Sequence, residues 1–380
     1  MRTSPAPLVL CLALAACAGT TTSPEASPQS GSQAPKESAP QSSAPASESE
    51  TPAPAGTITL AFAGDVHFER QVAPLLQDSD QEWATRLPEL AAADFAMLNL
   101  ETALTERGTA QNKSYTFRTS PVALDKLAAA GIDAVSLANN HAADFGRVGV
   151  QDTLAAKAAS PIPIVGFGAN EAEAYAPLTV DVKGVKVGVL ASMEVPEETY
   201  ANWSAGPDSP GVAQNIRRDR FTKAAEDAVA QHDLVVAFLH WGTEGTTCPN
   251  ERQRETVRVL KDAGVDIIVG THAHRPQGSG WNGRTFVGYG TGNFIWYNTS
   301  ADSKPSGVLT VEVDAAAAHE RGAAGPEQRL TQKSLVTGYT WHPKLIADNG
   351  IPRTPRDSAA RLERLADAAT RCSGLAQSPS

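Results

Sequence analysis

Beyond residue 56 the chain alternates short apolar runs with amphipathic stretches. Residues 57–63 read as a strand that Gly64-Asp65 ends, and 95–100, 133–138 and 162–167 read as further strands. Between them, helical spacing covers 81–93, 121–130 and 149–159. The second of these has Ser120 as N-cap, Pro121 in its first turn and Gly131 behind it. The pattern then turns hairpin-like: 178–182 and 185–190 flank Lys183-Gly184, a tight β-turn. A helix at 218–231, a strand at 234–240, a helix at 250–263 and a strand at 265–270 follow, with further strands at 284–289, 308–313 and 334–340. A terminal helix is expected at 359–372, capped by Ser358 and packing Leu362, Leu365 and Ala369. Strand–helix alternation followed by hairpins implies a layered α/β domain with a mixed sheet or two stacked sheets.

The first 56 residues break this pattern. Arg2 precedes an apolar run over 8–16 of signal-peptide length, too short to span a bilayer as a helix. It ends in Leu14-Ala15-Ala16-Cys17, which resembles the lipobox of bacterial lipoproteins. That resemblance implies acylation of Cys17 and a protein held on the extracytoplasmic face of the cell membrane without a spanning helix. An ordinary secretory signal is the alternative. Residues 18–56 are mostly Ser, Pro, Ala, Thr, Glu and Gln; a segment with so little to bury is expected to be a disordered tether.

Composition narrows the partners. A net charge of -10 and a pI near 5.3 argue against nucleic acid and against polybasic attachment to anionic lipid. Of the four cysteines, Cys11 lies in the signal and Cys17 in the lipobox. Cys248 and Cys372 remain, and in an exported chain they are expected to form a disulfide, two unrelated thiols being the alternative. Three glycosylation-like sequons, at Asn112, Asn202 and Asn298, are taken as chance beside a bacterial lipobox.

The chemistry-bearing residues collect at the C-terminal ends of the expected strands, where open α/β sheets place their ligands. Asp65 and His67 follow the first strand, Glu101 the second, and Asn140, His141 and Asp144 the third. His240, Trp241 and Glu244 follow the strand at 234–240, and His272, His274 and Arg275 the strand at 265–270. Five of the eight histidines therefore fall at such ends. Imidazoles, carboxylates and a carboxamide form a mixed N/O donor set suited to Zn, Mn or Fe. No Gly-x-Ser-x-Gly elbow, Walker loop or dinucleotide turn competes with this reading. The glycine-rich stretch from Gly288 to Asn293 reads as a tight loop lining the pocket, or as a purely structural turn.

Six motifs in order, Gly64-Asp65, Asn99-Leu100-Glu101, Asn139-Asn140-His141 with Asp144 and Gly146, His240-Trp241-Gly242-x-Glu244, Gly270-x-His272-x-His274 and Gly290-x-Gly292-Asn293-Phe294, resemble the CapA family of capsule or poly-γ-glutamate synthesis, related to calcineurin-like metallophosphoesterases. The resemblance implies a four-layer α/β/β/α sandwich over 57–345, followed by a C-terminal helix and tail at 346–380. It further implies two divalent ions, one held by Asp65, His67 and His274 and one by Asn140, His240 and His272. Glu101 stands where the wider superfamily has a bridging aspartate, and His141, with Asp144, would act as general acid. Arg275, Trp241, Glu244 and Asn293 are expected around the substrate. The implied activity is a phosphoesterase-like hydrolysis in the assembly of an anionic polymer, by a membrane synthesis complex. The alternative is a non-catalytic, metal-containing binding component of the same machinery.

Overall fold

The structure is a computed structural model that describes residues 55–298 and 300–379. The signal at 1–17, Cys17, nearly all of the tether and Thr299 of the third sequon lie outside the described residues. Among the described residues no helix is long and apolar enough to cross a membrane.

Side-chain alternation along two central strands explains the layering. In Thr57–Val66, Ile58, Leu60 and Phe62 enter one apolar cluster, whereas Ala61, Ala63 and Val66 enter another. In Leu234–His240, Leu234, Val236 and Phe238 join the first of these clusters, and Val235, Ala237 and Leu239 join a third. The shared cluster is the space between two sheets, where the Phe62 and Phe238 rings lie 6.2 Å apart. Strands buried on both faces need helices outside them. Val122–Ala129 and Gly146–Ala159 cover the first sheet with Leu124, Leu127 and Val150; Arg218–Val229 and Glu251–Asp262 cover the second with Phe221, Ala225, Val257 and Leu260. The result is a four-layer α/β/β/α sandwich.

The first sheet has eight strands. Thr57–Val66, Phe95–Leu100, Ala134–Ser136 and Ile164–Val165 run parallel in that order. Pro305–Asp314, Val336–Ile346 and Pro352–Arg353 extend it antiparallel on the other side, and Asn293–Ile295 pairs parallel with the end of the first strand. In the six-stranded second sheet, Val185–Met193, Leu234–His240, Ile267–Thr271 and Thr285–Gly288 are parallel, flanked by antiparallel Leu178–Val182 and Ser279–Asn282. The hairpin turn at Lys183-Gly184 has φ of 51° and 86°, both in the left-handed region that such turns require.

Four expectations change. The helix at 81–93 is two single turns, Asp80–Trp83 and Pro88–Ala91, because Pro88 opens the second and disfavours helical backbone before it. The strand at 162–167 divides at Gly166: Ile164–Val165 stays in the first sheet, and Phe167–Gly168 pairs with Gly211–Val212. In the terminal helix Ala359–Ser373, Leu362 and Ala369 are buried, but Leu365 is exposed and Ser358 makes no side-chain cap. Pro121, not Ser120, takes the N-cap position of Val122–Ala129, without a side-chain cap bond. Cys248 and Cys372 form a disulfide that fastens the terminal helix to the loop after Leu234–His240.

Candidate metal centre

The parallel strands of both sheets end at one edge, and the polar residues of the six motifs meet there. Gly64 admits a close neighbour: a Cβ on it would lie 1.7 Å from the Gly292 carbonyl oxygen, which instead accepts from Asp65 N–H at 3.0 Å. That contact ties the end of the first strand to the glycine-rich loop. After Ile267–Thr271 the backbone turns sharply, with φ of 81° at His272 and 53° at His274. Non-glycine residues in this conformation carry strain that is characteristic of ligand-binding sites.

Asp65 is fully buried. Its Oδ1 accepts from Asn99 Nδ2 at 2.8 Å, and its Oδ2 accepts from His272 N–H at 3.2 Å and faces His274 Nδ1 at 3.2 Å. Burial alone would raise this carboxyl, but the His274 and His240 rings outweigh it and hold it below its usual value. The reciprocal effect raises His274 against its own desolvation. His240 joins the two sheets: its Nε2 lies 2.8 Å from Asn140 Oδ1, 3.1 Å from His272 Nδ1 and 3.4 Å from Glu101 Oε1. Its Nδ1 lies 2.9 Å from Thr271 Oγ1 and 3.1 Å from Asn99 Nδ2. Desolvation pushes His240 down to about 3 and His272 well below the usual histidine range, so both rings are neutral and offer lone pairs.

Glu101 is the anomaly. It is fully buried, and neither carboxylate oxygen accepts a hydrogen bond. Burial, then the Asp65 charge, raises its pKa well above the ordinary value. A buried acid without a donor is costly and calls for a cation. The arrangement fits one: donor atoms of Glu101, His240 and His272 lie within 4.8 Å of one another, as do those of Asp65, Glu101 and His274, and those of Glu244, His272 and His274. Glu101 belongs to two of these three groups.

His141 stands beside them. Its Nδ1 is 2.5 Å from Asp144 Oδ2 and its Nε2 is 3.8 Å from Glu101 Oε1. Asp144 also accepts from Phe117 N–H and from Lys113 Nζ, each at 2.8 Å, and Lys113 donates to the Asn140 carbonyl as well. Desolvation outweighs Asp144 and lowers the His141 pKa. Above the site lies an open cavity of about 230 Å³ walled by Tyr115, Phe117, Trp296 and Tyr297.

Four other expected residues differ in placement. Glu244 is exposed at the cavity mouth, and Asn293 is buried in its wall with Oδ1 free of hydrogen bonds. Arg275 reaches the cavity, but its guanidinium is held by the Asp302 carbonyl and carboxylate. Trp241, expected near the substrate, is not in the site. It packs behind the second sheet, stacked on Tyr289 with its Nε1–H donated to the Tyr289 carbonyl. Gly270 leaves the space for it: a Cβ there would lie 2.0 Å from the indole nitrogen.

His67 also falls outside the three donor groups. Its ring packs 4.6 Å from Phe117, 4.2 Å from Trp296 and 4.8 Å from Tyr297 between centroids. Glu69 N–H donates to Nδ1 at 3.1 Å, and the buried Nε2 has no hydrogen-bond partner. Sequence reasoning missed Lys113, Thr271, Phe117 and Trp296. Thr271 had a signal, a polar residue in an apolar strand. Lys113 had none.

The family profile described as bacterial capsule synthesis protein PGA_cap matches residues 59–298. The chain is 28% identical over 299 residues to the PGA biosynthesis protein CapA of Bacillus subtilis (strain 168), covering 74% of this chain and 78% of that one. It is 34% identical over 219 residues to a probable polyglutamine synthesis accessory protein of Mycobacterium tuberculosis, covering 54% of this chain and 56% of the other. Among solved structures, it is similar to a phosphatase from Mycoplasma pneumoniae at 14% identity and a TM-score of 0.46, covering 81% of this chain and 99% of that one. With the profile spanning well over half of its length, the chain belongs to the family of bacterial capsule synthesis proteins.

Proposed function

We propose that this protein is a metal-dependent, phosphoesterase-like hydrolase acting in capsule or poly-γ-glutamate synthesis, anchored by lipid on Cys17 to the extracytoplasmic face of the cell membrane. The observation that carries the catalytic reading is Glu101, a buried carboxylate without a hydrogen-bond donor, set between two groups of metal-capable side chains. Asp65, Glu101 and His274 would hold one divalent ion, and Glu101, His240 and His272, with the Asn140 carboxamide beside them, a second. Bound Mn, Zn or Fe would supply Lewis acidity to a phosphoryl oxygen and to water.

The chain's own groups supply the rest. Asn99, hydrogen-bonded to Asp65 and next to His240, orients two of the proposed ligands. His141 faces the centre through Nε2 while Asp144 holds Nδ1, so a proton taken up at Nε2 gives an imidazolium that the buried carboxylate stabilises and that can donate to a leaving oxygen. Asp144 is itself fixed by Lys113 and Phe117 N–H.

Elemental analysis of the full chain purified in detergent, with and without His272→Ala, tests the centre. Near-stoichiometric metal that falls in the variant supports it; less than about a tenth of an equivalent in wild type rejects it, since a two-metal site should load nearly fully. Nitrophenol release from an aryl phosphate then separates the hydrolase from a protein that binds metal and ligand without turnover. The anchor is tested by mass analysis of the mature N-terminus for acylated Cys17.

A further inference from the structure

We propose that Arg70, stacked on Tyr297, forms an anion subsite beside the metal centre, so that the preferred substrate is a phosphoester whose leaving group carries a second anionic group, a carboxylate or phosphate. The inference rests on the hydrolase reading and adds the substrate class.

Three features lead to it. First, the cavity over His141 and His274 shares Tyr115, Tyr297 and Asn298 with a second, shallower concavity of about 500 Å³ that Arg70 also lines. A ligand held at the metal centre therefore has a continuous wall leading toward a cation. Second, the Arg70 guanidinium sits 4.5 Å over the Tyr297 ring, and its side chain makes no ion pair or hydrogen bond among the described residues. Stacking occupies the face of the planar group and leaves its N–H edge for an oxyanion. Arg275, the other basic residue lining these cavities, is already paired with Asp302. Third, the backbone at Arg70 is left-handed, with φ of 55°, a conformation that a long side chain adopts at a cost and that recurs at ligand clamps. Gln71 fastens this segment to the Tyr297 carbonyl, so the cation is built into the wall of the site.

Charge balance gives the subsite its use. In a chain of net charge -10, with Glu244 exposed at the mouth of the cavity, an anionic ligand needs a local cation besides the metals. The Tyr115 ring, which lines both concavities, offers an apolar surface to the body of the ligand.

The test compares phenyl phosphate with 4-carboxyphenyl phosphate on the metal-loaded full chain. Wild type should prefer the carboxylated ester in kcat/KM by about tenfold, as a charge-assisted hydrogen bond implies. Arg70→Gln should bring the ratio toward one, and Arg70→Lys should leave part of it. No preference in wild type, or one that survives Arg70→Gln, overturns the proposal. If neither ester is hydrolysed, the hydrolase reading fails separately, and calorimetric binding of benzylphosphonate against 4-carboxybenzylphosphonate decides the subsite. A tenfold affinity difference lost in Arg70→Gln upholds it; equal affinities overturn it.

Discussion

Glu101→Gln separates a metal-bridging acid from a structural one. Burial and Asp65 favour the protonated carboxyl in the ion-free protein. The substitution therefore exchanges one neutral group for another of nearly the same shape. The new amide can donate toward His141 Nε2, which the acid oxygen faces at 3.8 Å. Ion-free stability should change little. With metal the cases diverge. An ion present at a thousand times its dissociation constant adds about 4 kcal/mol. Unfolding about 320 residues carries an entropy of about 0.7 kcal/mol/K, so saturating metal should raise the melting temperature by about 6 °C. A hundredfold loss of affinity in Glu101→Gln would leave about 1.4 kcal/mol, or about 2 °C. Calorimetry of chelated and metal-replete samples reads both numbers. A full shift in the variant refutes the bridging role, and an ion-free melting temperature lowered by more than about 3 °C refutes the neutral exchange. Because a proton competes for the same oxygens, the metal-induced shift should shrink on acidification.

Four further outcomes follow from other parts of the structure. Lys113→Met leaves the buried Asp144 carboxylate without its ammonium partner at 2.8 Å and should cost about 3 kcal/mol in urea unfolding; a loss below about 0.5 kcal/mol would contradict the pairing. His141→Ala should keep its metal while aryl phosphate hydrolysis drops by about a hundredfold or more, and an undiminished rate removes His141 from the chemistry. Desolvation lowers the pKa of His232, whose Nδ1 meets the Ala228 carbonyl and whose Nε2 meets the Thr179 hydroxyl, each at 2.8 Å. Its neutral form thus stabilises the fold above the unfolded pKa of about 6.5, and that contribution is lost as pH falls toward the depressed folded value. Between about pH 7 and 5 the urea midpoint should consequently drop further in wild type than in His232→Gln; parallel curves would refute this. Reducing the Cys248–Cys372 bond, which spans 124 residues of sequence, should cost about 2–5 kcal/mol, and an unchanged melting temperature in reductant would show that the bond does not stabilise the fold.

How much of this was legible in the sequence depends on whether a feature is local. Strand ends are local to within a few residues: Glu101, His240 and His272 fall at strand ends as expected, whereas the first strand runs past Gly64-Asp65 to Val66 and the third stops at Ser136, five residues before His141. The layering was legible only in part: the residue pattern left a mixed sheet or two stacked sheets open, and the four layers came with the family resemblance. Side-chain direction just beyond a strand is not local. His240 and Trp241 are neighbours, yet His240 meets Asn140 at the sheet edge while Trp241 turns back into the outer core, because Gly270 on the adjacent strand leaves room for an indole. His67 shows a related limit. The spacing Asp-x-His brings an imidazole near the centre, but Phe117 and Trp296, distant in sequence, take up its faces, and Glu69 N–H claims Nδ1.

Glu101 shows where the boundary lies. Its position could be read from one strand, whereas its lack of hydrogen-bond donors is a property of everything around it: Asn99 turned toward Asp65, Asn140 toward His240, and Lys113 toward Asp144. The Asn99 amide and the Lys113 ammonium are committed to other carboxylates. Without an ion the acid can stay buried there only by holding a proton, and the neutral His240 and His272 beside it supply lone pairs, not charge. The same packing that makes the ion-free site expensive therefore selects the species that relieves it, a compact cation able to accept nitrogen and oxygen donors together.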